Sequence, residues 1–167
     1  MEISLFEPRI PQNTGSIART CAAFNLTLNL IEPLGFKLDD KYLKRAGLDY
    51  WHLIKIEKHN NFNSFKMKKK DSRLISFSKK NGILLREFKF NSSDILLFGR
   101  EDNGLPDKVI NNSHSLVSIF MPNKANENSN QKDGVRSLNL SVACGIAIYE
   151  ANKQLAMMNN STDYDLK

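Results

Sequence analysis

Three short stretches hold the side chains whose types and spacing could do chemistry: Asn13 to Arg19 (NTGSIAR), Phe98 to Pro106 (FGREDNGLP) and Gly134 to Ser141 (GVRSLNLS). In the second, the apolar run Ile95 to Phe98 reads as a buried strand that stops at Gly99, and Glu101 follows in a charged turn. Ligands of open α/β sheets sit outside the carboxyl ends of the strands. Glu101 is then a carboxylate at the rim of a pocket. Gly99, lacking a Cβ, lets a ligand approach the backbone closely. Arg19 lies off the apolar stripe of a helix that follows a strand-end loop, near the same edge of the sheet. Taken singly, Arg19 reads as a solvated helix charge, and a short glycine turn recurs by chance. It is the set of three that carries weight.

The elements that must position these residues follow from periodicity and punctuation. Ile3 to Phe6 reads as the first strand, closed by Glu7-Pro8. A helix is expected from about Gly15 to Phe24, capped by Asn13 or Thr14, with Ile17, Cys21 and Phe24 facing the sheet. Leu26 to Ile31 is the second strand. Asp39 or Asp40 is expected to cap a basic helix carrying Lys41, Lys44 and Arg45, which ends at Gly47. Leu53 to Ile56 is the third strand, and Trp51 before it is read as a packing residue. Asn60 to Lys70 is a helix with Phe62, Phe65 and Met67 apolar, ending in the cations Lys66, Lys68, Lys69 and Lys70. Such a run usually marks a solvated face and suits a helix C-terminus. Arg73 to Ser78, Ile95 to Phe98 and Leu116 to Met121 are further strands, Leu84 to Phe90 fits strand or helix, and Pro106 to Asn111 is a short helix. The polar stretch 123–133 is a loop, and the tail, 157–167, is expected to fray. The last helix, from Ser137 or Asn139 to about Leu155, is apolar around much of its circumference, so it must be covered on more than one side, by the core or by a second subunit. Alternating strands and helices predict an α/β fold, a mostly parallel sheet with helices on both faces, in one domain over 1–167.

The chain has 167 residues, 41% hydrophobic and 25% charged, with a net charge of +6 and a pI near 9.3. That excess of positive charge favours a polyanionic partner such as nucleic acid. Cys21 and Cys144 sit in apolar helical stretches and read as buried free thiols of a reducing compartment. There is no Cys/His spacing for a zinc site, no signal-peptide pattern and no stretch as long as a membrane span. A cytoplasmic protein with no metal and no membrane partner is the expectation.

In their order along the chain, the three stretches resemble the SpoU branch of the SPOUT superfamily of RNA 2′-O-ribose methyltransferases. Further matches are EPRIPQNTG from Glu7, IEPLGF from Ile31 and DDKYLKRAGLDYW from Asp39. These look like one subfamily, the small enzymes that methylate the wobble nucleotide, cytidine or modified uridine, of the tRNA anticodon. The resemblance runs from Ile3 to about Gln154. It implies a C-terminal trefoil knot, S-adenosylmethionine as methyl donor, a homodimer with the active site built across its interface, and the tRNA anticodon arm as partner. The rivals are a 2′-O-methyltransferase for another tRNA or rRNA site and a non-catalytic RNA-binding homologue.

Carried over by position, the resemblance implies a donor pocket from Phe77, Gly99, Met121 and Ser137. It makes Arg19 the catalytic arginine, Glu101 the motif glutamate that orients Arg19 or a neighbouring loop, and Ser137 with Asn139 the polar pair of the third motif. Lys41, Lys44 and Arg45 are the expected phosphate contacts. The chain departs from the family in a longer loop at 123–133 and in bulkier residues at Phe77 and Met121. The nucleophile, a ribose hydroxyl, needs help that a methyl sulfonium does not. A guanidinium, with a pKa above roughly 12, is a weak proton acceptor, so Arg19 is read as an electrostatic stabiliser of the forming alkoxide.

Overall fold

The computed structural model describes residues 1–38, 53–79, 82–122 and 134–158. Among them are the strands β1 (Glu2–Phe6), β2 (Thr27–Ile31), β3 (Ile56–His59), β4 (Leu74–Phe77), β5 (Ile83–Leu84), β6 (Ile95–Phe98) and β7 (Ser115–Ser118). The helices are α1 (Pro11–Ala23), α2 (Phe62–Lys68), α3 (Asp107–Ile110) and α4 (Leu140–Met158). The strands form one sheet in the order β3-β2-β1-β6-β4-β7-β5. Every pairing in it is parallel, as the sequence predicts.

A parallel sheet is buried on both faces, so its central strands carry apolar residues at consecutive positions. Period-two alternation then sends them to two cores. Ile3, Leu5, Leu28, Leu30, Leu96 and Phe98 pack with Ile17, Cys21, Cys144 and Ile148 from α1 and α4. Phe6, Ile31, Ile95 and Leu97 pack on the other face with Phe65 of α2 and Val109 of α3. The chain runs outward in one direction through β1, β2 and β3, and β6 lies on the other side of β1. The loops after β1 and β6 therefore leave the same sheet edge side by side, with Leu5 opposite Phe98. This reversal of strand order is the usual ligand position in open α/β sheets.

Several boundaries differ from the sequence reading. Helix α1 starts at Pro11, not Gly15, and its N-cap Ile10 makes no side-chain cap. Proline fits a first helical position, where its missing N–H costs nothing. Asn13 and Thr14 are thereby inside the helix and buried rather than capping it. Phe24 lies past the helix end and is 37% exposed, so it does not face the sheet. Strand β3 falls three residues later than expected because its pairing partner sets its register, Leu28 opposite Ile56 through Ile31 opposite His59. Met67 is 78% exposed; two residues from Phe65, it lies about 200° around the helix from that core contact. Strand β7 ends at Ser118 rather than Met121, just past the pairing of Phe77 with Val117. Of Leu84 to Phe90 only Leu84 is strand, although Leu85, Phe88 and Phe90 are buried. Helix α4 starts just after Asn139, one of the two expected positions, and Asn139 Oδ1 accepts from Ser141 N at 2.8 Å and Val142 N at 3.4 Å. The expected helix of 39–46, Trp51, the loop 123–133 and the tail beyond 158 lie outside the described residues.

Cys21 and Cys144 are free and fully buried, on the packed faces of α1 and α4. Burial pushes the Cys21 thiol up to about 12 and that of Cys144 well above the usual thiol range. Unfolded thiols ionise near pH 8.5. Their contribution to stability is whole below that pH and is lost as pH rises through the folded values. The urea midpoint should fall from about pH 9 upward, less steeply in Cys21→Ala and Cys144→Ala. At pH 8 a thiol reagent should titrate no native cysteine and two after denaturation.

Candidate active site

Two loops define the site. After β1 the chain turns at Glu7, in the left-handed region with φ 46°, and Glu7 N donates to Ile31 O at 2.9 Å. After β6, Arg100 and Gly104 exchange backbone hydrogen bonds of 3.1 and 2.9 Å, and Gly104 takes φ 68°. Residues 100–104 thus fold back over Gly99. A Cβ on Gly99 would lie 2.3 Å from Gly104 C and 2.4 Å from Leu105 N. On that side Gly99 makes room for its own loop.

The turn aims Glu101 across the sheet edge at the β1 loop. Its Oε2 accepts from Arg9 N at 2.8 Å, and its Oε1 from Ile10 N at 3.2 Å and Asn13 Nδ2 at 3.1 Å. A carboxylate in this place satisfies backbone N–H groups at the helix start and complements its dipole. That explains why α1 has no side-chain cap of its own. Asn13, 7% exposed, has its amide oriented by this contact, because the donor nitrogen must face Glu101. Its Oδ1 then accepts from Asn139 Nδ2 at 3.0 Å. One hydrogen-bond chain, Glu101–Asn13–Asn139, ties the three motif stretches together. Glu101 thus hydrogen-bonds the loop that follows β1 and the start of α1.

The nearby cations Arg9 and Arg100 are matched by carboxylates. Arg100 grips Asp102 with two hydrogen bonds of 2.8 and 2.6 Å and reaches Glu7 at 3.5 Å. The Arg100 guanidinium holds the Asp102 carboxyl down at about 2. Arg9 pairs with Glu7 at 3.2 Å. Arg19 is exposed on α1, six residues beyond Asn13. Six residues turn a helix through about 600° and advance it about 9 Å. Arg19 thus leaves α1 roughly 120° away from Asn13, so one chain does not gather its motif residues onto one helix face.

The other expected residues sit at neighbouring strand ends. Phe77 closes β4 and stacks on Phe98 of β6, centroids 4.7 Å apart. Gly99 follows β6, and half-buried Met121 comes three residues after β7, the neighbour of β4. Ser137 is exposed, two residues before Asn139. Lys41, Lys44 and Arg45 lie outside the described residues. Among the described residues no group of three or more His, Cys, Asp and Glu could hold a metal ion. No helix there is long and apolar enough to cross a membrane. Sequence reasoning missed Asn13 as a site residue, together with the amides of Arg9 and Ile10. Asn13 opens the first motif, but an asparagine just ahead of a helical pattern also reads as a cap.

With this geometry in hand, comparisons place the chain among known proteins. The model of the SpoU rRNA Methylase family matches residues 1–149. A tRNA (cytidine(34)-2′-O)-methyltransferase of Saccharophagus degradans is 41% identical over 156 residues, which are 92% of this chain and 94% of that one. A solved structure concerned with the 2-OH methylation of C/U34 on tRNA is 42% identical, with TM-score 0.84, covering 93% of this chain and 96% of that chain. The SpoU methyltransferase AviRb of Streptomyces viridochromogenes, in complex with AdoMet, shares the fold at 22% identity and TM-score 0.78, over 94% of this chain and 61% of that chain.

The hydrogen-bond chain makes two changes at Asn13 distinguishable. Asn13→Ala removes both links and should cost about 1–3 kcal/mol in urea unfolding. Asn13→Asp keeps an acceptor for Asn139 but sets a carboxylate against Glu101, so it should be the less stable of the two at neutral pH. An aspartate variant as stable as the wild type would show that the contact is not maintained in solution.

Proposed function

The chain belongs to the SpoU rRNA methylase family, and we propose that it transfers a methyl group from S-adenosylmethionine to the ribose 2′-hydroxyl of the wobble nucleotide, position 34, of tRNA. The observation that carries this reading is the meeting of the three motif stretches in the chain Glu101–Asn13–Asn139. It is supported by likeness over most of both chains to relatives named for that reaction on cytidine 34.

The residues present fit the methyl donor. Phe77, Gly99 and Met121 lie at three adjacent strand ends, and the apolar side chains of the first and last suit a flat base. Ser137 adds a hydroxyl beside the N-terminus of α4. Bound there, the donor supplies an electrophilic methyl whose leaving sulfide departs neutral. The work of the protein is on the nucleophile. Arg19 holds the neighbouring phosphate with its guanidinium and stabilises the alkoxide as the 2′-hydroxyl passes its proton to solvent water. Glu101, Asn13 and Asn139 hold the loops that set the distance between donor and sugar.

A homodimer belongs to this reading, because Arg19 leaves α1 away from Asn13 and a second copy can bring the two sets together. Helix α4 supports it. Cys144, Ala147, Ile148 and Ala151 are buried, while Val142 is 50%, Ile146 40% and Tyr149 56% exposed. Spaced four and three residues apart, these three form an apolar stripe, continuous with a groove of about 440 Å³ lined by Leu84, Phe120, Ile146 and Tyr149. Lys41, Lys44 and Arg45 are assigned to phosphates of the anticodon arm. The reading extends to one domain over 1–167, a knotted C-terminal segment and a cytoplasmic location.

Purified protein with S-adenosylmethionine should place a 2′-O-methyl at nucleotide 34, read by mass spectrometry of digested tRNA. A protein that binds RNA but neither binds the donor nor transfers its methyl would be the silent homologue. Arg19→Lys should lose about 10²-fold in kcat/KM, in the range for removing a transition-state donor. Full activity in that variant would show that the planar fork is unnecessary.

A further inference from the structure

At the sheet edge opposite the candidate active site lies a second cavity, of about 390 Å³, lined by Phe65, Lys66, Lys70, Ser72, Asn112 and His114 among others. Leu74 and Ile95, the first residues of β4 and β6, help to form its wall. The strands are parallel, so this is the amino edge, whereas Glu101 and Asn13 stand at the carboxyl edge.

The lysines of this region divide into two sets. Lys68 and Lys69 pair with Glu57 at 2.9 and 3.2 Å, and Lys69 also pairs with Glu2 at 2.7 Å. Lys55 and Lys58 have Glu57 and Glu32. Lys66 and Lys70 have no carboxylate partner among the described residues; Lys66 Nζ donates to Asn112 Oδ1 at 2.7 Å. Both line the same cavity, where they stand as like charges. An anion between them relieves that repulsion.

The remaining polar lining offers donors. His114 Nδ1 accepts from Leu74 N at 2.9 Å, which leaves the proton of the neutral ring on Nε2. The acceptor of Asn112 is used by Lys66, and its amide donates to Lys108 O at 2.8 Å. Ser72 adds a hydroxyl. Among the described residues no carboxylate lines the cavity, and Asp71, between Lys70 and Ser72, is exposed outside it. The apolar wall of Phe65, Leu74 and Ile95 lowers the local dielectric and strengthens any charge contact made there.

We propose that this cavity binds the phosphate backbone of the RNA substrate, through Lys66, Lys70 and His114, away from the nucleotide that is modified. The proposal rests on the RNA reading of the carboxyl edge. Strands of four residues set the two edges only about 13 Å apart. In a duplex each strand carries a phosphate about every 3.4 Å of helix axis, so an arm of several base pairs is long enough to touch both edges.

The test uses the full-length protein, an anticodon-arm RNA and the double variant Lys66→Ala/Lys70→Ala, with Lys89→Ala/Lys153→Ala as a control of equal charge loss. Circular dichroism melts establish that each is folded. The cavity variant should bind RNA about tenfold more weakly at low salt, and the slope of log affinity against log salt should shrink by roughly 1.5. KM for RNA should rise while kcat and the affinity for S-adenosylmethionine hold. Unchanged RNA affinity and slope overturn the proposal, as does a loss no greater than in the control. Inorganic phosphate bound at the cavity at millimolar concentration, with an unchanged RNA slope in the double variant, marks a small-anion pocket and overturns the RNA assignment. If the wild type transfers no methyl to tRNA, it is the proposed activity that fails; the salt slope still decides the cavity.

Discussion

The loop after β6 carries in its turn a carboxylate, Glu101, whose hydrogen bonds go to another segment. Glu101 reaches across the sheet edge and takes the amides of Arg9 and Ile10, which would otherwise begin helix α1 without a cap. The same carboxylate orients the side chain of Asn13, and Asn13 in turn receives the amide of Asn139 at the head of α4. Segments 88 and 126 residues apart in sequence are held by single hydrogen bonds at a sheet edge. Such contacts are individually worth only about 1–2 kcal/mol. Their effect is to fix geometry, since each amide can face only one way once its neighbour is set.

The sheet makes this possible. Because β1 and β6 are parallel neighbours, with Leu5 beside Phe98, their following loops must emerge together. Gly99 lets the β6 loop close on itself, since any Cβ there would strike the backbone of Gly104. That closure turns Glu101 toward α1 instead of into solvent. Arg100 is then committed to Asp102 and Glu7. The glycine and the charges of one motif thus serve different ends: shape from Gly99, helix capping from Glu101, loop rigidity from Arg100.

Charge is distributed unevenly over the two edges. At the carboxyl edge Arg9 and Arg100 lie against Glu7 and Asp102, a balanced array. At the amino edge Glu2 and Glu57 hold Lys68 and Lys69 and leave Lys66 and Lys70 without a counter-charge among the described residues. The run of lysines after Phe65 reads as one solvated group in the sequence. The fold separates it into cations that stabilise the edge strand and cations that remain available to an outside anion.

The sequence by itself determined the α/β class, the order of most strands and helices, the buried thiols and the motif stretches, because these depend on local periodicity and residue type. It located Glu101 at a strand end and Asn139 at a helix start for the same reason. It misplaced the start of α1, since the acceptor for the amides of Arg9 and Ile10 comes from residue 101, far along the chain. It shifted β3, because strand register is set by the partner strand and not by the segment. It did not show that the space a Cβ would take at Gly99 is filled by a backbone five residues on. Which charges are paired, which way Asn13 faces and which lysines remain open were decided only by tertiary structure: a hydrogen bond or an ion pair depends on distance in space, and distance in space is what a linear pattern does not encode.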